Sequence, residues 1–216
     1  MAAVIATGQR PFVQEVLGRS DYAIISGLIE PGTKVLDLGC GDGELLQWLA
    51  ENKGVEGRGI EISSTRVQRA ISRGVSVYQG DIDQGLTNYP DQAFDYVILS
   101  QTLQATSEPK TVLSQMVRIG RRAIVSFPNF GWWKVRLHLL FCGAMPTTEA
   151  LHYEWYDTPN IHLCTIYDFV KLCEKLGVAI EESYALTEGG QARGFRATSP
   201  LANLLSEQGI FLLARR

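Results

Sequence analysis

Three acidic residues, Asp37, Glu61 and Asp81, stand at or just after the ends of three successive apolar segments. The segments read KVLDL, RGIEI and VSVYQGD, and each is typical of a short buried strand. If the strands are parallel neighbours, their carboxyl ends meet at the edge where α/β sheets bind ligands. Any one acid could instead cap a helix or a turn. Three in succession favour a shared ligand site.

The first acid precedes a glycine-rich turn, LGCGDG, and then an amphipathic helical pattern, ELLQWL. Glycines let the backbone turn sharply and lie close to a ligand, and a helix start offers free N–H groups. The third glycine comes one residue early for a dinucleotide fingerprint, and a carboxylate at Asp37 is a poor neighbour for a pyrophosphate. A ligand with a cationic end fits better, and S-adenosylmethionine (SAM) has an ammonium, a sulfonium, a ribose and an adenine.

This ordered set of acids resembles that of the class I SAM-dependent methyltransferases. In that family an acidic glycine-rich loop follows the first strand. A ribose-binding acid follows the second strand, and an adenine-contacting acid follows the third strand. The resemblance covers roughly residues 20 to 187. It implies SAM or its product S-adenosylhomocysteine as cofactor. The cofactor-binding residues it implies are Asp37, Gly39, Cys40, Gly41, Gly43, Glu61, Ile62, Asp81, Ile82 and Ser100.

Strand and helix patterns alternate along the chain, which predicts a doubly wound parallel sheet. A lead-in helix over 20–30 should cover one side of the pocket, strands are expected at 94–100 and 122–128, and Thr165 with Asp168 forms a capping box for a helix that Gly177 ends. The predicted fold class is α/β, a single Rossmann-like class I methyltransferase domain over 1–216. It has a mostly parallel seven-stranded sheet with helices on both faces, and the last two strands are VAIEESYAL and GIFLLAR.

An aromatic segment over about 129–164 follows strand five and contains three of the four tryptophans and all three histidines. We expect this insertion to form a lid or a partner surface, because so much aromatic side chain at the ligand edge is typical of contact surfaces. Its stretch WWKVRLHLLF alternates like a strand, but its length favours a helix. The lid or partner-surface residues are predicted to be Tyr153, Trp155, Tyr156 and His162.

Composition argues against several classes of function. A formal net charge of −3 gives no basic field, so a nucleic-acid partner is not expected. The four cysteines form no C-x-x-C pair, which predicts neither a metal site nor a disulfide framework. No apolar stretch is long enough to span a membrane, and the opening MAAVIATGQR does not resemble a signal peptide. We therefore predict a cytoplasmic protein with no membrane association.

Catalytic groups are sparse. The residues that follow the fourth strand, SQTLQ, include no carboxylate and no histidine. His152 and His162 are the candidate general bases in the lid, although a structural hydrogen bond is an alternative role for either. Positioning alone can support methyl transfer, so the missing base does not exclude it.

Four phrases, LDLGCGDGELL, FDYVILSQTLQ, SFPNFGWW and YEWYDTPNIHLCT, resemble the methionine biosynthesis protein MetW family. Its members resemble class I methyltransferases and are associated with homoserine O-acyltransferase (MetX). The resemblance implies an accessory or regulatory role beside that partner, and it leaves the tail from Thr187 to Arg216 unmatched. The family's loop and lid phrases fall on Asp37, Gly39, Gly41, Gly43, Tyr153, Glu154, Trp155, Tyr156, Asp157, Asn160 and His162.

Two alternatives remain open. A complete cofactor pocket under an aromatic lid also suits a methyltransferase that acts on a small molecule. An RNA methyltransferase has only a few basic residues in its favour, Arg121, Arg122, Lys134 and Arg136. The chain lacks the G-x-S-x-G nucleophile elbow of α/β-hydrolases, so acyl transfer itself would belong to the partner.

Overall fold

The computed structural model describes residues 19–148, 151 and 153–216. Within them strands and helices alternate along most of the chain. The strands are β1 (Lys34–Leu38), β2 (Glu56–Glu61), β3 (Ser76–Gln79), β4 (Phe94–Ser100), β5 (Gly120–Pro128), β6 (Val178–Leu186), β7 (Ala192–Gly194) and β8 (Gln208–Arg215). The α-helices are α1 (Ser20–Leu28), α2 (Glu44–Lys53), α3 (Ser64–Ser72), α4 (Ile82–Gly85), α5 (Pro109–Ile119), α6 (Trp133–Cys142), α7 (Ile166–Leu176) and α8 (Pro200–Leu205).

All eight of these strands form one sheet, in the order β3-β2-β1-β4-β5-β8-β6-β7. Strands β1 to β5 are parallel, and β8 inserts antiparallel between β5 and β6. The prediction of a mostly parallel sheet is confirmed, but the strand count of seven is wrong by one. The additional strand is the three-residue β7, which pairs with the end of β6 across a turn in which Gly189 and Gly190 have positive φ. A strand this short has no periodicity to detect.

The sheet buries apolar side chains on both faces, as its alternating residues require. Along β4, Tyr96 and Ile98 pack into one core, whereas Val97 and Leu99 pack into the other. Helices α1 and α2 cover the first core, and α5 and α7 cover the second. The prediction of helices on both faces is therefore confirmed.

Local sequence patterns correctly predicted several helices and strands and some of their ends. Strand β4 spans Phe94–Ser100, as predicted. The side chain of Thr165 accepts a hydrogen bond from the Asp168 N–H at 3.2 Å, and Gly177 ends α7 with φ of 65°. The stretch WWKVRLHLLF contributes most of α6, so the helical interpretation of that segment is confirmed.

The strand order creates a switch point. From β1 the chain winds outward through β2 and β3, and it then returns to the other side of β1 as β4. Loops that leave β1 and β4 therefore diverge, which opens a crevice at the carboxyl ends of these strands. No helix of the described residues is long and apolar enough to cross a membrane.

Candidate cofactor-binding site

A cavity of 740 Å³ opens at this switch point. Its volume falls in the range of about 300 to 1,000 Å³ that is usual for small-molecule sites. Half of the residues predicted to bind the cofactor line it, and they lie at or just after the carboxyl ends of β1, β2 and β3. These lining residues are Gly39, Glu61, Ile62, Asp81 and Ile82.

Asp37 lies within β1, two residues before the cavity-lining Gly39, and its side chain is only 3% exposed. Its Oδ1 atom has no hydrogen-bond partner among the described residues. Burial raises the pKa of Asp37 to about 7, the positive charge of Arg19 opposes the increase, and the negative charges of Glu61 and Asp21 add to it. A buried carboxylate without a partner is unfavourable, and a cationic group would supply what is missing.

Glu61 holds the glycine-rich turn. Its Oε2 atom accepts the Gly41 N–H at 3.0 Å, and its Oε1 atom accepts the Ser63 N–H at 2.9 Å. Each carboxylate oxygen retains a further lone pair for a ligand hydroxyl. Asp81 accepts the N–H of Asp83 at 2.9 Å and so caps the short helix α4 at the rim of the same cavity.

Two of the loop glycines serve different purposes. Gly39 has φ of 74°, and a Cβ atom there would lie 2.9 Å from Thr102 Oγ1, so glycine lets the loops after β1 and β4 approach each other. Gly43 begins α2 with φ of 77°, and it packs against Ala70 and Val75. Gly43 therefore serves helix packing and does not line the cavity.

Cys40 is likewise a packing residue in this structure. It is buried, and its Sγ atom lies against Gly59, where a Cβ atom would come within 2.4 Å. Burial raises the pKa of the Cys40 thiol, which opposes formation of a thiolate.

A buried polar network beside the cavity was not anticipated. Arg19 donates two hydrogen bonds to the Asp21 carboxylate, at 3.1 and 2.6 Å, and Ser100 Oγ donates to Asp21 Oδ2 at 2.7 Å. Ser126 Oγ joins the network at 3.1 Å from both Asp21 and Ser100. Ser100, a predicted cofactor contact, is thus held in this network and does not line the cavity.

Arg19 and Asp21 themselves line the cavity from the start of α1, where the sequence predicted a covering helix. Although burial opposes it, the Asp21 carboxylate raises the pKa of Arg19. The loop after β4 contains no carboxylate of its own, but α1 places one there. The only sequence signal was an Arg-Ser-Asp run before an apolar helix.

The other side of the cavity is formed by uncharged polar residues. Gln101 and Gln104 follow β4, Gln208 begins β8, and Tyr153 and Asn160 come from the lid. The lid is fastened here, because the carbonyl oxygen of Gln104 accepts the N–H groups of Ile161 at 2.9 Å and His162 at 3.0 Å.

The rest of the lid faces outward. Trp155 and Tyr156 are each 72% exposed and contact each other edge to face, with ring centroids 5.6 Å apart. Met145, Tyr153, Trp155 and Leu163 border a small apolar cavity of 40 Å³. We call Met145, Tyr153, Trp155, Tyr156 and Leu163 the lid face. His162 is exposed and does not line the large cavity, whereas His152 lies outside the described residues.

The basic residues that favoured an RNA substrate have local partners. Arg121 lies 3.7 Å from Asp95, Arg122 lies 3.0 Å from Glu181, and Lys134 pairs with Glu188. Arg136 Nε donates to the carbonyl oxygen of Gly131 at 2.6 Å. These contacts belong to a solvated rim of mixed charge.

Comparison with solved structures supports the same fold. A SAM-dependent methyltransferase of Thermotoga maritima, described as a possible histamine N-methyltransferase, superposes with a TM-score of 0.67 at 15% identity over 95% of this chain and 92% of its own. A SAM-dependent methyltransferase of Mesorhizobium loti also gives 0.67, at 16% identity over 93% of this chain and 100% of its own. The fold is that of class I SAM-dependent methyltransferases.

Proteins similar in sequence indicate more closely which proteins of this fold the chain resembles. The bifunctional methionine biosynthesis protein MetXA/MetW of Rhodopirellula baltica is 36% identical over 171 residues, which are 75% of this chain but only 27% of that protein. A demethylmenaquinone methyltransferase of Listeria welshimeri is 29% identical over 133 residues, 55% of this chain and 56% of that protein.

The family model for methionine biosynthesis protein MetW matches residues 19–213. The tail after Thr187, which the sequence phrases left unmatched, is therefore part of the family up to residue 213. The chain belongs to the methionine biosynthesis protein MetW family.

Proposed function

We propose that this chain binds SAM or S-adenosylhomocysteine and acts as an accessory or regulatory subunit of homoserine O-acyltransferase (MetX). The proposal of cofactor binding rests on Asp37, a buried carboxylate beside a 740 Å³ cavity whose Oδ1 atom has no hydrogen-bond partner in the described part of the chain. A sulfonium and an ammonium on one small molecule are the kind of charge that this site lacks.

The lining residues suggest how the cofactor would be held. Asp37 would take the cationic methionine end, and Glu61 would accept the ribose hydroxyls while it still holds the loop at Gly41. Ile62 and Ile82 would offer apolar surface to the adenine, with Asp81 at its edge. Bound there, SAM would supply an electrophilic methyl group.

The second half of the proposal rests on the lid face and on a relative. In the Rhodopirellula baltica protein, MetXA and MetW are named as parts of one chain. Joining two modules in one chain keeps them at a high effective concentration, which is useful when they act together. Where the two modules are on different chains, a docking surface must hold them together, and exposed tryptophan and tyrosine beside a small apolar cavity are typical anchors.

Cofactor binding is tested by calorimetry with SAM and with S-adenosylhomocysteine. Glu61→Ala should weaken binding by about 1 to 3 kcal/mol, roughly five- to a hundredfold, because the ribose hydroxyls lose their acceptors. Glu56→Ala is the matched control, since Glu56 is an exposed glutamate at the opposite end of the same strand. Absence of binding to the wild type, or equal affinities in the two variants, would remove SAM from the proposal.

Partnership is tested by copurification of the tagged chain with the homoserine O-acyltransferase of the same cells. We expect the two proteins to elute together and the acyltransferase activity to differ with and without this chain. If the purified proteins neither associate nor alter each other's activity, the partnership is wrong even where SAM binds.

A methyltransferase that acts on a small molecule is the second candidate. The uncharged side of the cavity favours it, because it extends beyond the acidic strand ends and is covered by the lid. Transfer of a labelled methyl group from SAM to a small-molecule extract of the same cells separates the two functions. Labelled product without the acyltransferase present would favour this candidate.

A further inference from the structure

The uncharged side of the cavity is a cluster of four side-chain amides. Gln101 and Gln104 follow β4, Asn160 comes from the lid, and Gln208 begins β8. We call these four residues the amide subsite. None of them carries a charge, whereas the loops after β2 and β3 on the other side contribute Glu61 and Asp81.

Gln104 is the informative member, because its side chain is 6% exposed and only partly satisfied. Its Nε2 donates to the carbonyl oxygen of Gln101 at 2.9 Å, which fixes the orientation of the amide. Its Oε1 atom then has no hydrogen-bond partner within the described part of the chain. A buried carbonyl oxygen without a donor is unfavourable, so a ligand N–H or O–H group would be stabilised there.

The surrounding contacts hold Gln104 in place. Its main-chain oxygen accepts the N–H groups of Ile161 and His162, so the lid rests on this residue. Gln101 has φ of 53°, in the left-handed region that favours glycine. Its main-chain N–H donates to Ser126 O at 2.9 Å, and its Nε2 donates to Gln208 Oε1 at 3.0 Å. Such local strain is retained where the surrounding contacts over-determine it.

Among the charged residues that line the cavity, Arg66 and Asp83 follow β2 and β3 on the acidic side, and Arg19 is paired with Asp21. Arg19, which also lines the cavity, makes two hydrogen bonds to Asp21, so it does not present an unpaired cation to the amide subsite. A charged ligand group placed against the four amides would lose hydration without gaining a counter-ion. An uncharged group that both donates and accepts hydrogen bonds, such as a carboxamide or an alcohol, matches the amides directly.

We propose that the amide subsite binds a second, uncharged polar ligand next to the cofactor, through an N–H or O–H group donated to Gln104 Oε1. This proposal rests on the proposed function only in taking SAM or S-adenosylhomocysteine as the neighbouring ligand. Because the main chain of Gln104 also holds the lid at Ile161 and His162, the second ligand would contact the residue to which the lid is fastened.

Three probes of nearly equal size test the wild-type chain. Acetamide can donate and accept, acetone can only accept, and acetate carries a charge. The chain is saturated with S-adenosylhomocysteine, and each probe is titrated while the glutamine and asparagine side-chain amide resonances are followed by NMR. We expect acetamide to bind with a dissociation constant of about millimolar order and at least about threefold more tightly than acetone or acetate. Equal binding of acetamide and acetone would overturn the proposal, as would shifts confined to amides outside the subsite.

A variant locates the contact. Gln104→Met keeps the side-chain length but removes the acceptor, and it should lower acetamide affinity about threefold or more, to the level of acetone. Gln68→Met, at an exposed position of α3, is the matched control and should change nothing. Unchanged acetamide affinity in a folded Gln104→Met would also overturn the proposal, and the probe comparison on the wild type stands even if that variant does not fold. S-Adenosylhomocysteine binding in the same samples is recorded separately, so failure of the cofactor proposal is distinguishable.

Discussion

In a folded protein, buried side chains are usually apolar and exposed side chains are usually polar. The wall of the large cavity and the lid face depart from this rule in opposite ways. Beside the cavity, polar groups are buried, and Asp37 and Gln104 each have an oxygen atom with no hydrogen-bond partner among the described residues. At the lid face, aromatic groups are exposed, with Trp155 and Tyr156 each at 72%. Buried unpaired polar atoms and exposed large apolar side chains are the two observations that most often mark a site.

The two regions also differ in the kind of molecule that would bind to each of them. We expect a small polar or cationic ligand to supply the hydrogen bonds that these oxygen atoms lack among the described residues. The exposed aromatic rings of the lid face are instead typical of a surface that another macromolecule covers. The first region is the proposed ligand site and the second is the proposed docking surface, and the main chain of Gln104 at the first holds the lid at Ile161 and His162.

Replacing the buried carboxylate of Asp37 should have the largest effect, on both SAM binding and the stability of the free chain. Asp37→Asn removes the charge that would pair with the cationic end of SAM, and it should weaken SAM binding by about 1.5 to 3 kcal/mol. The free chain should become more stable at pH 8. The folded pKa is about 7 and the usual value is 3.8, so the ionised carboxylate destabilises the folded chain by at most about 4 kcal/mol.

The sign of this pH dependence is set by the raised pKa. Asp37 is protonated in both states well below pH 3.8, and stability is lost as the pH rises through 3.8 and on to about 7. Urea unfolding at pH 8 and pH 5 should therefore show a gain for Asp37→Asn that is larger at pH 8. Asp157→Asn, at an exposed position, is the control. A loss of stability at pH 8, or an equal gain at both values, would contradict the assigned burial.

Removing the exposed rings should have a comparable effect on the partner and almost none on the fold. Trp155→Ala and Tyr156→Ala should each weaken acyltransferase binding by about 2 kcal/mol if the residue is an anchor. Their effect on the free energy of unfolding should stay within about 0.5 kcal/mol, because neither ring is buried.

Tyr78→Ala is the matched control, since Tyr78 is an exposed tyrosine on the edge strand β3. Affinity for the acyltransferase is measured by surface plasmon resonance with each folded variant. Full affinity in the Trp155→Ala/Tyr156→Ala double variant would place the interface elsewhere, and equal losses in Tyr78→Ala would indicate nonspecific adhesion.

The smallest expected effect is the coupling between SAM binding at the cavity and acyltransferase binding at the lid face. SAM is made from methionine, and homoserine acylation begins methionine synthesis, so feedback favours a SAM-bound form that holds the acyltransferase less tightly. The coupling must be reciprocal, and about 1 kcal/mol would change each affinity about fivefold. Acyltransferase affinity and activity are measured across a SAM titration, with Asp37→Asn as the variant that does not respond. No change at saturating SAM would show that the two regions are independent.

Much of the ligand edge was predictable from local signals. Asp37, Glu61 and Asp81 end apolar runs, and the structure brings the ends of these three neighbouring strands together because parallel strands share one carboxyl edge. The capping box at Thr165 and the helix α6 also followed from neighbouring residues. Hydrophobic periodicity, capping and turn chemistry act over a few residues, so one sequence is enough to detect them.

Other features depended on contacts between distant residues. Arg19 and Asp21 reach Ser100 across about 80 positions of sequence, and Gln208 reaches Gln101 only because β8 inserts beside β5. The same is true of the unpaired oxygens, since local sequence does not determine whether Asp37 or Gln104 has a partner. The sequence by itself determined the fold class and the acidic strand ends, because these follow from local pattern. Tertiary structure decided which of these groups are buried, paired or exposed, because burial and hydrogen bonding depend on elements that meet only when the sheet is complete.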